Sequence, residues 1–226
     1  MLRWRHPERG LISPAEFIAH SEQTGLIIAL GHFALEQAAS DLAEWQRRFS
    51  PNLFASVNFS RRQLSDQAFE PLLARILNQA AIAPGTLKLE VTESVVAADP
   101  QLSVLLTRIK ELGAGLSIDD FGTGLSALSQ LRNLPFDTIK IDKSFLARQP
   151  EGEGANQEGA GDAGLVLTSI IALAHDLKRA VVVEGIESAA EADWLAQAGC
   201  EFGQGYHFSM PLTAAEALDF IARHLS

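Results

Sequence analysis

Cysteine is almost missing from this chain: Cys200 stands alone in 226 residues. A single thiol forms no internal disulfide, and no Cys/His cluster has zinc-ligand spacing. A disulfide-stapled secreted scaffold and a structural zinc domain are both excluded. Positive charge is short as well. With 18 Lys and Arg against 28 Asp and Glu the net charge is −10, which excludes the cation surplus needed to wrap a nucleic-acid backbone. A small phosphorylated ligand stays open, because one Arg, one Lys or a bound metal can hold it. Long apolar runs are absent too. The longest, Leu165 to Ala174, contains Thr168 and Ser169 and is about half the ~20 residues that span a bilayer. The amino terminus, MLRWRHPERG, carries charge with no apolar stretch behind it, unlike a signal peptide. These lacks fit a reducing cytoplasm, with no nucleic-acid partner and no direct membrane contact.

What is present is a globular composition, 47% hydrophobic, long enough for a substantial core. Helix starts are legible. Ser13-Pro14-Ala15-Glu16 sets a capping hydroxyl, a proline at the first helical position and a reciprocal Glu in order, and Ser188-x-x-Glu191 and Thr213-x-x-Glu216 repeat the spacing. With Asp99-Pro100, they predict helices from about 14, 100, 189 and 214. Periodic apolar residues predict two more, over Leu26 to Arg48 and Pro71 to Ala81. Short apolar runs alternate with these: Phe54–Asn58, Leu87–Val91, Gly115–Ile118, Thr138–Ile141, Ala180–Val183 and Phe202–Tyr206. The alternation predicts βα units and a parallel sheet.

One segment interrupts the rhythm. Glu151 to Gly164 holds five Gly and four acids and no aromatic residue, so 150–164 is expected to be a flexible acidic loop within a single domain over 1–226. Its Gly159-Ala160-Gly161-Asp162-Ala163-Gly164 matches a dinucleotide-binding pattern, yet no strand leads into it and Asp162 opposes a pyrophosphate. Gly122-Thr123-Gly124 reads as a plain turn or a mobile active-site loop.

The telling feature is where polar residues fall. Asn58, Glu90 with Glu93, Asp119 with Asp120, Lys140, Glu184 and Gln204 sit at or just past the ends of the expected strands. In a parallel α/β barrel those ends meet on the catalytic face. Any one of them is ordinarily a cap or a solvated loop residue. Adjacent Asp119 and Asp120 after an apolar run repel each other unless a cation lies between them, and oxygen donors without thiolate or imidazole favour Mg²⁺ or Mn²⁺. Two such ions about 3.5–4 Å apart suit phosphodiester hydrolysis. The scattered His residues read as structural or surface groups, and Cys200 as a core thiol.

LRWRHPERGLISPAEFI, SVNFS, LEVTES, DDFGTG, LPFDTIKIDKSF, VVVEGIE and GCEFGQGYHFSMPL together resemble, in order and along the whole chain, the EAL domain of bacterial cyclic di-GMP phosphodiesterases. The resemblance implies an α/β fold, a modified TIM (β/α) barrel, that hydrolyses cyclic di-GMP to linear pGpG with two Mg²⁺ or Mn²⁺ ions. Position by position it implies Asn58, Glu90, Asp119, Asp120 and Glu184 as metal ligands, with Asp119 shared. Glu184 is implied as the second-metal ligand or the general base, and Lys140 as the contact to the attacking water. Gln204 completes the pocket and Arg3 holds a substrate phosphate. Glu93 is implied as the anchor of the 121–128 loop, in which Leu125 replaces a frequent aromatic residue.

The family's name-giving Glu-Ala-Leu lies just before Leu2-Arg3-Trp4, so Met1 takes its third place and the signature Glu is absent. The barrel is accordingly expected to lack its first strand and most of its second. A fragment of a longer protein is the favoured explanation, with an upstream GGDEF or sensor domain, tethering to the inner membrane through that region and a homodimer through the barrel. The alternative is a cyclic di-GMP receptor that does not hydrolyse. An enolase-like barrel is a weaker reading, since no room remains for a capping domain.

Overall fold

A computed structural model of the chain describes residues 2–98, 102–122, 134–146 and 157–225, without the side chains of 97, 98 and 157–163. The backbone gathers into two compact units. The first comprises Met1–Val91, Val104–Gly115 and Phe220–Ser226, and the second Thr92–Ser103 and Leu116–Asp219.

The first unit opens with an antiparallel hairpin that sequence reasoning did not anticipate, β1 (Trp4–His6) and β2 (Gly10–Ile12). His6 Nδ1 accepts the N–H groups of Glu8 and Arg9 at 3.1 and 3.2 Å and closes the turn. Helix α1 (Pro14–Thr24) starts at the expected proline and stops at Gly25, whose φ of 85° favours a residue without Cβ. Its expected capping box does not form. The Ser13 side chain makes no cap, and Glu16 is drawn instead to Arg9, 2.8 Å away.

Helix α2 (Ile27–Arg48) buries Leu35, Ala39 and Leu42, one face at helical spacing, while Phe33 falls off that stripe and is exposed. Strand β3 (Ala55–Asn58), the short α3 (Arg61–Leu64) and α4 (Phe69–Ala80) follow. Strand β4 (Leu87–Thr92) lies parallel to β3, with Asn58 level with Glu90. Gln46 fastens the entries of both strands: its amide donates to the Leu53 carbonyl at 2.7 Å and to Thr86 Oγ1 at 2.9 Å. Most of α6 (Leu102–Glu111) belongs to this unit.

The second unit contains α5 (Glu93–Ala98), β5 (Gly115–Phe121, from Leu116 onward), β6 (Thr138–Ile141), a 3₁₀ turn at Lys143–Phe145, and α7 (Gln157–Asp176). It continues with β7 (Ala180–Glu184), α8 (Ala189–Gln197), β8 (Phe202–Gln204) and α9 (Ala214–His224), whose end passes to the first unit. Strands β5, β6, β7 and β8 pair in that order, all parallel. Leu116, Ile118, Ile139, Ile141, Val181 and Val183 are buried along one side chain parity, with Ile171 and Ala174 of α7 in the core.

Helices begin where expected at 14, 189 and 214, and the Ser188–Glu191 box closes as read. Residues 99–101, including Asp99-Pro100, lie outside the described residues, as do 150–156 of the expected loop. Residues 157–164 of that segment are the first turns of α7. Among the described residues no helix is long and apolar enough to cross a membrane.

Candidate active site

Strand β5 was expected to end at Ile118, with the two aspartates in the loop beyond. It runs on to Phe121. Ser117 is level with Thr138 and Ile118 with Ile139, but Phe121 is level with Ile141. One extra residue is therefore accommodated at Asp119-Asp120, opposite Lys140. This is a β-bulge, with Asp120 in the left-handed region at φ 54°. Asp tolerates that region better than most side chains, and a bulge re-aims what it carries.

Lys140 answers from the next strand. Its Nζ lies 3.1 Å from Asp119 Oδ1 and 2.5 Å from Glu184 Oε1, and its side chain is only 7% exposed. Three neighbouring strands thus supply a carboxylate, an ammonium and a second carboxylate. The Lys140 contact to Asp119 Oδ1 is an ion pair by distance, but it is not aligned as a hydrogen bond, and that buried oxygen accepts none. Burial pushes the Asp120 carboxyl above its usual range, the charges of Asp119 and Asp142 push the same way, and Lys140 opposes them. Asp142 goes the other way: the Ser144 N–H, 2.8 Å from its Oδ1, holds it below the carboxylate range as it caps the 3₁₀ turn.

Glu93, the first residue of α5, is buried, and its Oε2 accepts the Gly122 N–H at 2.9 Å. That places it on the backbone directly after the bulge; 123–133, most of the expected loop, lie outside the described residues. Gly122 has φ 93°, and a Cβ there would sit 2.6 Å from the Phe145 ring. Gln204, exposed at the end of β8, is level with Glu184. Directly after it the backbone of Ile186 leaves no space for a side chain at Gly205.

The remaining expected residues belong to the first unit. Asn58 and Glu90 face across one rung of β3 and β4, Glu90 is 4% exposed, and its carbonyl accepts the Phe59 N–H at 2.9 Å. Arg3 is exposed, and its guanidinium donates to the adjacent Leu2 carbonyl.

The donors fit a hard divalent cation. They are carboxylate oxygens with no sulfur or imidazole among them, and the buried Asp119 Oδ1 without a hydrogen bond is an acceptor that such an ion satisfies. As the side chains stand, no three His, Cys, Asp or Glu residues among the described residues are grouped closely enough to enclose an ion, and in the second unit Lys140 lies between the acids. Sequence reasoning passed over Asp142, Phe145 and Asp137. Asp142 was visible beside Lys140 in IKID, whereas nothing in the sequence links Phe145 to Gly122.

Comparison with known proteins places the chain in a family. Residues 1–211 match the family described as EAL domain. The chain is 37% identical over 227 residues to cyclic di-GMP phosphodiesterase PA2567 of Pseudomonas aeruginosa, covering 99% of this chain and 37% of that protein. It is 34% identical over 229 residues to cyclic di-GMP phosphodiesterase PdeR of Escherichia coli, covering all of this chain and 33% of that one. The chain thus spans between a quarter and two fifths of the curated relatives it matches. Among solved structures, the PaMucR phosphodiesterase in complex with c-di-GMP matches with a TM-score of 0.86 and 32% identity, over 96% of this chain and 85% of that one. The α/β fold expected from the sequence, a modified (β/α) barrel, is the fold of these structures. With a family match running through both compact units, the chain belongs to the EAL domain family.

Proposed function

We propose that this chain hydrolyses cyclic di-GMP to linear pGpG using two divalent ions, Mg²⁺ or Mn²⁺. The observation that carries this reading is the bulged rung, on which Asp119 and Asp120 face a buried Lys140 that also reaches Glu184. The names of the relatives PA2567 and PdeR, both cyclic di-GMP phosphodiesterases, support the same substrate. Asp119, Asp120 and Glu184 would hold the metal, and Asn58 and Glu90 would be ligands on the family's pattern. Bound there, the ions would supply a lowered pKa for water and charge stabilisation for the leaving oxygen of the phosphodiester. Lys140 orients the attacking water through its ammonium hydrogens, and Glu184 takes up the water's proton. Gln204 and Arg3 hold the substrate, and Glu93 fixes the backbone at Gly122. An upstream GGDEF or sensor domain and a homodimer complete the proposed assembly.

The test is chromatography of cyclic di-GMP incubated with the purified protein extended to restore Glu-Ala ahead of Leu2-Arg3-Trp4. The expected result is pGpG formed with Mg²⁺ or Mn²⁺ and lost on chelation. Tight binding without pGpG, measured by calorimetry, would replace this reading with that of a receptor; absence of both binding and turnover would sink both.

A further inference from the structure

We infer that Asp137 is a positioning residue: it pins the register of β5 so that the extra residue of the bulge is expressed at Asp119-Asp120 and nowhere else. Asp137 precedes β6 and holds Leu116 by both of that residue's backbone polar groups. Its carboxylate Oδ2 accepts the Leu116 N–H at 2.8 Å, and its own N–H donates to the Leu116 carbonyl at 2.9 Å. On the other side its carbonyl accepts the Ala180 N–H at 2.9 Å, at the start of β7. One residue therefore fastens the entries of the strands that carry Asp119 and Asp120, Lys140 and Glu184.

The need for such a fastening comes from the bulge. A strand with one residue too many keeps the bulge or slides by one, and a slide of one sends every side chain to the opposite face. Slid that way, Asp119 no longer meets Lys140. Holding Leu116 keeps Ser117 level with Thr138 and Ile118 with Ile139, which leaves the surplus residue only the rung opposite Lys140. Glu201 makes a similar bond on the far side of β7, accepting the Val181 N–H at 3.0 Å, and, making no bond to β5 among the described residues, it serves as the control.

This role rests on the phosphodiesterase reading only where turnover is concerned, so the primary measurement is independent of activity. Amide hydrogen exchange is followed in the whole chain, parent against Asp137→Ala, with Glu201→Ala alongside. Exchange at residues 116–121 is expected to rise about tenfold or more on losing a hydrogen bond to a charged acceptor, while Ile139, Val182 and Val183 stay within twofold. Glu201→Ala is expected to leave 116–121 unchanged. A uniform rise across the sheet, or none, overturns the inference. If the alanine chain does not fold, Asp137→Asn carries the test, with a rise of a few-fold confined to 116–121 expected and a uniform one again overturning it. With cyclic di-GMP, Asp137→Ala is expected to lower kcat about tenfold with KM within twofold, and Asp137→Asn to recover most of it. A local exchange change with unchanged kcat refutes the positioning role, whereas a parent that never hydrolyses cyclic di-GMP refutes the phosphodiesterase reading and leaves the exchange result standing.

Discussion

Replacing Lys140 by Met removes the ammonium and keeps a side chain of similar length. Asp119 Oδ1 and Glu184 Oε1 then confront each other across the vacated place, no farther apart than the two former contacts laid end to end, 3.1 and 2.5 Å, or about 5.6 Å. With an effective dielectric constant of about 20, two unit charges at that separation repel by about 3 kcal/mol. That agrees with the ~3–5 kcal/mol lost when one member of a buried ion pair is removed. Glu184 is 24% exposed and can partly turn away, so the lower end applies. Urea unfolding at pH 7 with chelator present is the assay, the midpoints being converted through a common slope. Lys140→Met is expected to lose about 3 kcal/mol, and Lys140→Met with Glu184→Gln to regain about 2 of it, because the repulsion goes with the second charge. A single variant within about 1 kcal/mol of the parent, or a double variant no more stable than the single, would show that the ion-pair reasoning is wrong.

Gly122→Ala is expected to cost about 2–4 kcal/mol, since it joins a φ of 93° to a Cβ 2.6 Å from the Phe145 ring; adding Phe145→Leu should recover the steric share in a thermal melt. At Asp120, φ 54°, Asn is expected to preserve stability within about 0.5 kcal/mol and Val to lose about 1–2. Asp120→Asn is nonetheless expected to lose metal-dependent turnover, which separates fold from chemistry. Glu191 is held below the usual carboxylate range chiefly by the Glu187 N–H and then by that of Ser188, both bonded to its Oε2. Its contribution is therefore complete above the unfolded carboxylate pKa and disappears as pH falls through the lower folded one. Glu191→Gln should cost about 0.5 kcal/mol at pH 7, discounted for solvent, with the gap from the parent closing in acid unfolding curves; a gap independent of pH contradicts the assignment.

How much was legible depended on whether a signal was local. Thr138–Ile141 alternates Ile139 and Ile141 with the polar Thr138 and Lys140, a two-residue period that is local, and the strand has those limits. Ser188 and Glu191 meet three residues apart, so their capping box was readable, and the same pattern at Ser60 and Gln63, overlooked, marks α3. At Ser13 the pattern was present and misled, because Arg9 from the hairpin competes for Glu16. The aspartates were recognised, but their bulge was not. A register shift is a relation between two strands, and β5 alone carries no trace of what lies level with it. The tie from Asp137 to Leu116 spans 21 residues and is silent in the sequence for the same reason.

The bulge has an evolutionary corollary. Ile118 is level with Ile139 and Phe121 with Ile141, with two acids and one lysine between. Deleting Asp120 leaves Ile118, Asp119 and Phe121 matched one to one against Ile139, Lys140 and Ile141, a regular ladder with both flanking pairs kept. A single-codon deletion, ordinarily ruinous in the middle of a strand, is here a repair of the backbone that discards one carboxylate. It offers lineages of this fold a one-step passage from a two-aspartate rung to a one-aspartate rung without rebuilding the sheet.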